Sequence, residues 1–244
     1  MSGTGALFLH RFGGSTRSWD GVLARLNPSI ETSAPDLPGF GSAAASPGPF
    51  NVAAYADAAG VALHAMACDR VLIVGHSMGG KIALALAARR PDRLAGLVLL
   101  SPSPPTPEPM TADERSAALA GWGSLAYAEA SLTRTTAASL GAVAHAMELD
   151  GMLKTSAAAW RAWFASGSRE DISTAMTAIA VPSIILCGTA DRTIPLDVQR
   201  REVWARLPDA TLLEIPGTGH LLPVEAPDLV ASTIAAACDR TATP

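Results

Sequence analysis

The stretch GHSMGG at residues 75–80 places one serine, Ser77, where a strand must turn abruptly into a helix. An apolar run at residues 71–74 precedes it, and an alanine-rich run at residues 81–87 follows it. A strand that becomes a helix within one residue forces the serine into a strained conformation, so its flanking residues must be small. Such a turn lifts the hydroxyl above the carboxyl edge of the sheet, beside the first free amides of the helix. The stretch therefore predicts either a plain glycine turn or a nucleophile.

Short apolar runs alternate with longer alanine-rich segments along the chain. This pattern is typical of a parallel sheet whose crossover helices cover both faces. The predicted strands are residues 6–10, 29–34, 70–75, 94–101, 181–188 and 211–215. The predicted helices between them are residues 15–25, 51–67, 78–89, 195–206 and 224–237. We therefore predict one α/β unit with a mostly parallel six-stranded sheet flanked by helices.

The alternation stops between residues 102 and 170. Prolines that can continue neither a strand nor a helix follow the fourth strand, at positions 102, 104, 105, 107 and 109. The sequence TADE at residues 111–114 has the form of a capping box, which starts a helix, and helix-forming residues continue to Phe164. We predict a helical insertion at residues 103–170 in an α/β core made of residues 1–102 and 171–244.

Composition excludes several classes of protein. The chain has 244 residues, of which 49% are hydrophobic and 16% charged, which favours a compact globular protein over a disordered one. The net charge of -4, without a run of lysine and arginine, argues against nucleic acid as a partner. Three widely spaced cysteines predict reduced thiols rather than disulfides or a zinc site.

Location and cofactor use are also predicted from what the sequence lacks. No run approaches the roughly 20 apolar residues of a membrane span. The amino terminus has no basic segment of the kind that opens a signal peptide. We expect a cytoplasmic protein that needs neither a metal nor a cofactor.

A serine nucleophile needs a base and an acid that orients the base. His220 follows the last predicted strand, and Asp191 follows the strand before it. Alone, the histidine could be a polar loop residue and the aspartate a helix cap. Together, Ser77, Asp191 and His220 each follow a strand, so they are expected at the same edge of one parallel sheet.

Four motifs carry a resemblance to a known family, and they cover nearly the whole chain. They are DLPGFG at residues 36–41, GHSMGG at residues 75–80, CGTADRTIP at residues 187–195 and PGTGHLLPVEAPD at residues 216–228. With these motifs the sequence resembles the α/β-hydrolase superfamily, in its serine-nucleophile, esterase-like branch. The resemblance implies the α/β-hydrolase fold, with Ser77 as nucleophile, His220 as base and Asp191 as orienting acid. It also implies that the insertion is a cap over the site.

The resemblance further implies an oxyanion hole formed by the backbone amides of Met78 and Phe12. Arg11 stands where the family usually has glycine, in the loop after the first strand. Three interpretations stay open. Arg11 points to solvent beside an intact hole, or lines the entrance and favours an anionic or carbonyl-rich substrate, or disables the hole.

A second departure from the family lies at the amino terminus. Relatives usually have a two-stranded hairpin before the strand predicted at residues 6–10, and here only five residues precede it. We expect the hairpin to be missing and the sheet to be shorter at that edge. An uncovered edge strand invites pairing, so a monomer and a homodimer both stay open.

The insertion supplies candidates for the substrate pocket. Trp122, Trp160 and Trp163 are interpreted either as the core of the cap or as walls of an apolar pocket. His10 and His76, which adjoin the predicted site, are interpreted as packing groups.

These observations predict a serine hydrolase of small carboxylic esters, thioesters or lactones that works through an acyl-enzyme. The same fold also hosts other functions. A carbon–carbon bond hydrolase or lyase and a ligand receptor on a hydrolase scaffold therefore stay open. A receptor would stall after about one equivalent of substrate, whereas an enzyme would turn over repeatedly.

Overall fold

The structure, a computed structural model, describes residues 3–242. These residues form one sheet whose strands are all parallel, in the order β2-β1-β3-β4-β5-β6. The strands are β1 (Thr4–Leu9), β2 (Thr32–Ser33), β3 (Arg70–His76), β4 (Leu94–Leu100), β5 (Ser183–Gly188) and β6 (Ala210–Ile215). The predicted six-stranded α/β architecture is confirmed.

The central strands are apolar on both faces because helices cover both sides of the sheet. Side chains alternate along each strand between two separate hydrophobic layers. Leu9 and Ile73 pack in the larger layer, whereas Phe8 and Val74 pack in the smaller one. This two-layer core accounts for the near-continuous apolar runs from which the strands were predicted.

The edge strand β2 is shorter than predicted. Residues 29–34 were expected to be a strand, but only Thr32 and Ser33 pair with β1. The amide of Ile30 donates to the carbonyl of Asn27 at 2.9 Å, which makes residues 27–30 a turn. The chain therefore becomes extended only after this turn.

Each of the five helices predicted within the α/β core contains helical residues in the structure, but not every one is a single continuous helix. They are α1 (Asp20–Leu23), α2 (Val52–Ala65), α3 (Met78–Ala87), α4 (Ala112–Ala120), α5 (Leu125–Thr135), α6 (Ala142–Lys154), α7 (Ala157–Ala165), α8 (Leu196–Val198), α9 (Leu222–Glu225) and α10 (Pro227–Ala242). The expected helix at 15–25 begins as a 3₁₀ turn, whose start is capped by the Ser15 hydroxyl, and the Ser18 hydroxyl accepts from the backbone amide of Ser15. The expected helix at 224–237 is two helices, since Pro227 lacks the amide that would continue the first one.

Helices α4–α7 lie between β4 and β5, where the helical insertion was predicted. The capping box at the start of α4 is present, with Thr111 and Glu114 each accepting from the other's backbone amide. The indole N–H of Trp160 on α7 donates to the carbonyl of Ala118 on α4 at 2.7 Å. The second contact joins α7 to α4, and the function of the four helices as a cap stays a prediction.

None of the helices within residues 3–242 combines the length and the apolarity that crossing a lipid bilayer requires. Cys68, Cys187 and Cys238 are buried and unpaired, as predicted.

His10, at the end of β1, is completely enclosed and uses both of its ring nitrogens. Its Nδ1 donates to the carbonyl of Arg11 at 2.7 Å, and its Nε2 accepts from the amide of Leu37 at 3.0 Å. Only the neutral ring can make both bonds, because a protonated Nε2 could not accept. Burial lowers the pKa of His10 to about 4.

This histidine makes stability depend on pH. In the unfolded chain His10 binds a proton below its ordinary pKa of 6.5, whereas the folded protein does not bind it until about pH 4. Its contribution to the free energy of unfolding is therefore complete above pH 6.5 and is lost as the pH falls, at up to about 1.4 kcal/mol per pH unit. His10→Gln should show a slope between pH 6 and 4.5 that is shallower by roughly 1 kcal/mol per pH unit, measured by urea unfolding. Equal slopes in the two proteins would contradict this assignment.

Candidate active site

Ser77 occupies the junction between β3 and α3 in a strained conformation. Its φ of 53° and ψ of -117° lie in a region that residues other than glycine rarely adopt. A Cβ on Gly75 would approach the carbonyl oxygen of Gly79 to 2.5 Å, and a Cβ on Gly79 would collide with the carbonyl of Leu9. The small residues on either side of Ser77 are thus required by the tightness of the turn, as predicted.

Three residues far apart in the sequence meet at the carboxyl ends of β3, β5 and β6. Nε2 of His220 lies 2.8 Å from Oγ of Ser77, and its Nδ1 lies 2.7 Å from Oδ2 of Asp191. All three residues are buried, with relative exposures of 8% or less. In the neutral ring that this geometry suits, Nδ1–H donates to the aspartate and Nε2 accepts from the serine hydroxyl. This arrangement can move a proton from Ser77 to His220.

Asp191 is kept as a carboxylate by its surroundings. Burial raises the pKa of this carboxyl, but the adjacent His220 and two backbone amides outweigh burial and hold the pKa below its usual value. The amides of Thr193 and Ile194 donate to Oδ1 at 2.8 and 3.0 Å. One oxygen of Asp191 is thus fixed by its own loop, and the other is left for His220.

The backbone amides of Phe12 and Met78 are available for a ligand. Within residues 3–242 neither amide donates to a protein acceptor. The start of α3 lies against the end of β1, because Gly79 closely approaches the carbonyls of Leu9 and His10. Both amides therefore belong to backbone segments that meet beside Ser77, and their role in an oxyanion hole stays a prediction.

Arg11 does not point to solvent, so that interpretation was wrong. The residue is 6% exposed, and its guanidinium forms an ion pair with the carboxylate of Glu148 on α6. Nε of Arg11 also donates to this carboxylate at 3.0 Å, and Nη1 donates to the carbonyl of Phe12 at 2.7 Å. A buried guanidinium needs such a counter-charge, and Glu148 lies 137 positions away in the sequence.

A cavity of about 230 Å³ opens beside the Ser77 hydroxyl. Its lining includes His220 as well as the aromatic side chains of Phe12, Trp160, Trp163 and Phe164. The Phe12 ring packs against those of Trp160 and Phe164, with centroids 5.1 and 4.8 Å away. The prediction that Trp160 and Trp163 line the pocket agrees with their position.

Trp122 does not line this cavity, contrary to the prediction. It is 46% exposed, in the turn between α4 and α5. Its indole N–H donates to the carbonyl of Thr155 at 2.9 Å. The side chain thus lies across the outer side of the helical segment, where it ties two of its turns together.

Sequence reasoning missed several polar residues that line the cavity. They are Glu108, Glu114, Tyr127, Ser131, Arg134, Thr135, Arg192 and Thr193. Glu108 lies in the proline-rich stretch, where no periodicity indicates the direction of a side chain, and it accepts a hydrogen bond from the hydroxyl of Ser103. Burial raises the pKa of Glu108 above its usual value, so its proton is held more tightly than in water.

The proline-rich stretch is fixed to the turn at Ser77 by backbone and side-chain hydrogen bonds. Lys81, on the helix that begins after Ser77, is fully buried, and its ammonium donates to the carbonyls of Thr106 and Glu170. Burial lowers the pKa of Lys81 to about 8. The amide of Ser103 donates to the carbonyl of Ser77 at 2.9 Å. These bonds hold the proline-rich stretch, which carries Glu108, against Ser77.

The family model of the alpha/beta hydrolase family matches residues 6–233. The chain belongs to this family. The match includes β2 to β6, most of β1, and the positions of Ser77, Asp191 and His220, so the fold inferred from the motifs is confirmed.

Individual relatives of this alpha/beta hydrolase match over shorter stretches. An uncharacterized protein of Mycobacterium tuberculosis is 37% identical over 100 residues, which are 41% of this chain and 29% of the relative. Lipase LipV of the same organism is 42% identical over 81 residues, which are 33% of this chain and 31% of the relative. The matched stretch is thus less than a third of either relative's length.

Solved structures match over almost the whole length. A thermophilic esterase from Thermogutta terrifontis superposes with a TM-score of 0.80 at 25% identity, covering 99% of this chain and 92% of the esterase. The superposition therefore includes the helical segment between β4 and β5.

The buried ion pair between Arg11 and Glu148 yields a test of how the helical segment is attached. Glu148→Leu leaves the Arg11 charge buried without a partner, which should lower the free energy of unfolding by about 3–5 kcal/mol. Arg11→Met combined with Glu148→Leu should recover most of that loss, because neither charge is then buried. Urea unfolding of the two variants measures both quantities. Equal destabilisation of the single and the double variant would contradict the pairing.

Proposed function

We propose that this protein is a serine hydrolase that cleaves small carboxylic esters, thioesters or lactones through an acyl-enzyme. The observation that carries the proposal is the continuous series of hydrogen bonds Ser77–His220–Asp191, which ends at a cavity large enough for a substrate. The reaction needs a hydroxyl that adjoins the substrate cavity, a base within hydrogen-bond reach and a group that orients the base. One edge of the sheet provides all three.

In the proposed mechanism, Oγ of Ser77 attacks the carbonyl carbon while Nε2 of His220 takes the hydroxyl proton. The amides of Phe12 and Met78 hold the negative charge that develops on the carbonyl oxygen. The tetrahedral intermediate then collapses, the carbon–oxygen bond to the alcohol breaks, and His220 gives its proton to the leaving alkoxide. A water molecule attacks the acyl-enzyme with His220 again as base, which releases the acid and restores Ser77.

We further propose that residues 103–170 are the cap of this enzyme and determine its acyl specificity. Trp160, Trp163 and Phe164, all on α7, face the cavity that the Ser77 hydroxyl adjoins. A volume of about 230 Å³ is below the roughly 300–1,000 Å³ of typical sites for drug-sized ligands. Such a space suits a short acyl group of a few carbon atoms better than a long fatty chain.

The pairing of Arg11 with Glu148 removes Arg11 as a cation that would bind an acidic acyl group. Arg11 lines the cavity, but Glu148 neutralises its guanidinium. An acidic diketone or succinyl-type substrate would need an unpaired cation, so the argument for a carbon–carbon substrate that rested on Arg11 loses its basis. Relatives named as a lipase and an esterase support the same class of reaction. A cytoplasmic location, and a monomer or a homodimer, stay predictions.

Hydrolysis of p-nitrophenyl esters tests the reaction directly. The wild type should release many equivalents of nitrophenol, and Ser77→Ala should be slower by roughly 10⁴- to 10⁶-fold, because only the oxyanion hole and substrate binding remain. Ser232→Ala, at an exposed position of α10 that does not line the cavity, is the matched control and should retain the full rate. A wild type that stops after one equivalent would favour the receptor interpretation, and an active Ser77→Ala would exclude Ser77 as nucleophile.

A chain-length series from acetate to decanoate tests the cap. The wild type should favour short acyl chains, and Trp163→Leu should move the optimum to longer chains because it enlarges the cavity. Trp122→Leu removes an equally large side chain outside the cavity, so it should leave the optimum unchanged. If Trp122→Leu moved the optimum as far as Trp163→Leu, or Trp163→Leu did not move it, these residues would not form the acyl wall.

A further inference from the structure

The backbone around His220 is held by groups outside its own turn. Its amide donates to the carbonyl of Thr135, the last residue of α5, at 2.7 Å. Its carbonyl accepts from Nε2 of His76 at 2.8 Å. Both backbone groups of His220 are thus fixed independently of the contacts that its ring makes with Ser77 and Asp191.

One carboxylate, that of Glu225 on α9, fixes both sides of this turn. Oε2 accepts from the amide of Gly219 at 2.9 Å, and Oε1 accepts from the amide of Leu221 at 3.0 Å. Oε2 also accepts from the amide of Ala137, in the segment after α5, at 2.9 Å. Glu225 therefore joins the turn of residues 219–221 to a backbone segment 88 positions away.

The bond to Ala137 separates this arrangement from ordinary helix capping. A glutamate near the start of a helix often accepts from the amides of the preceding turn, which would explain Gly219 and Leu221 alone. The third amide belongs to Ala137, which precedes β5 in the sequence, whereas Glu225 follows β5. Hydrogen bonds to an ionised carboxylate are roughly twice as strong as those between neutral groups, so three of them form a firm joint.

The two segments are in close contact at Gly219. A Cβ at this position would lie 2.6 Å from the amide nitrogen of Ala137 and 2.8 Å from the carbonyl oxygen of Thr135. Glycine is thus required here by the approach of α5 rather than by the backbone conformation, since Gly219 is not among the glycines with positive φ.

We propose that Glu225 is a positioning residue for His220, which it holds in place against the end of α5. The proposal rests on the proposed function, because it assigns Glu225 a role in the reaction of Ser77 and His220. Glu225 does not line the cavity, so it acts through His220 and not through the substrate. The bonds from His220 to Thr135 and from Ala137 to Glu225 also fix the end of α5 to the site, although α5 belongs to the proposed cap.

Glu225→Gln tests the proposal with a side chain of nearly the same shape. Its NH2 group cannot accept, so at least one of the three amides loses its partner. We expect kcat for a p-nitrophenyl ester to fall about 10- to 100-fold with KM changed less than about twofold, because His220 is misplaced while the cavity is intact. Asp228→Asn, an exposed carboxylate three positions on that pairs with Arg25, is the matched control and should retain kcat.

Gly219→Ala breaks the same contact from the other side and is a second route to the result. It should also lower kcat more than it raises KM. If both changes act through the joint between the turn and α5, the double variant should be no slower than about the slower single variant. Losses that multiply would show two separate effects and would overturn the proposal.

Amide hydrogen exchange tests the proposal without any turnover. In Glu225→Gln the amides of Gly219, Leu221 and Ala137 should exchange faster, and so should the amide of His220, whose acceptor is Thr135 and not Glu225. If exchange became faster at the other amides but not at His220, Glu225 would be only a local cap. The same would hold if the wild type turned over and Glu225→Gln had the same kcat. If the wild type did not turn over, the proposed hydrolase function would be wrong. The exchange rate of the His220 amide in Glu225→Gln would then still decide whether Glu225 positions His220.

Discussion

The close packing of α3 against the end of β1 is the constraint on which the rest of the structure depends. A Cβ at Gly75 or Gly79 would collide with backbone atoms, and Ser77 between them takes a positive φ. Strain of this kind persists only where the surroundings fix the backbone, and here the sheet and the helix do so. It projects the Ser77 hydroxyl toward His220 and leaves the amide of Met78 without a protein acceptor. The position of the Ser77 hydroxyl and the lack of a protein acceptor for the Met78 amide are thus consequences of one tight turn.

The helical segment between β4 and β5 is attached to this site by specific polar contacts and not by apolar packing alone. Glu148 of α6 neutralises Arg11 beside the predicted oxyanion loop, and Thr135 of α5 accepts from the His220 amide. A displacement of these helices would therefore leave a buried charge and a buried amide without partners, which is costly. This argues that α5 and α6 are held firmly against the candidate site.

Local signals predicted most of the fold and the three central residues. The strand, glycine turn and helix around Ser77 are encoded within about fifteen consecutive residues, and Asp191 and His220 each follow a strand whose apolar run is clear. The predictions for the surroundings of Arg11 and Trp122 were wrong or left open, because these surroundings depend on partners that are distant in the sequence. Glu148 is 137 positions from Arg11, and the orientation of Trp122 depends on Thr155 in a neighbouring turn. Glu108 went unnoticed because a proline-rich loop has no periodicity that would indicate its direction.

The covalent intermediate is the most direct test of the account. A p-nitrophenyl ester mixed with excess enzyme and quenched in acid within the first turnover should raise the intact mass of the protein by one acyl group. Peptide mapping should then place this group on Ser77. A burst of nitrophenol with the acyl group on Ser77 is the predicted result. Turnover without any acylated protein, or an acyl group on a different residue, would contradict the assignment of Ser77 as the nucleophile.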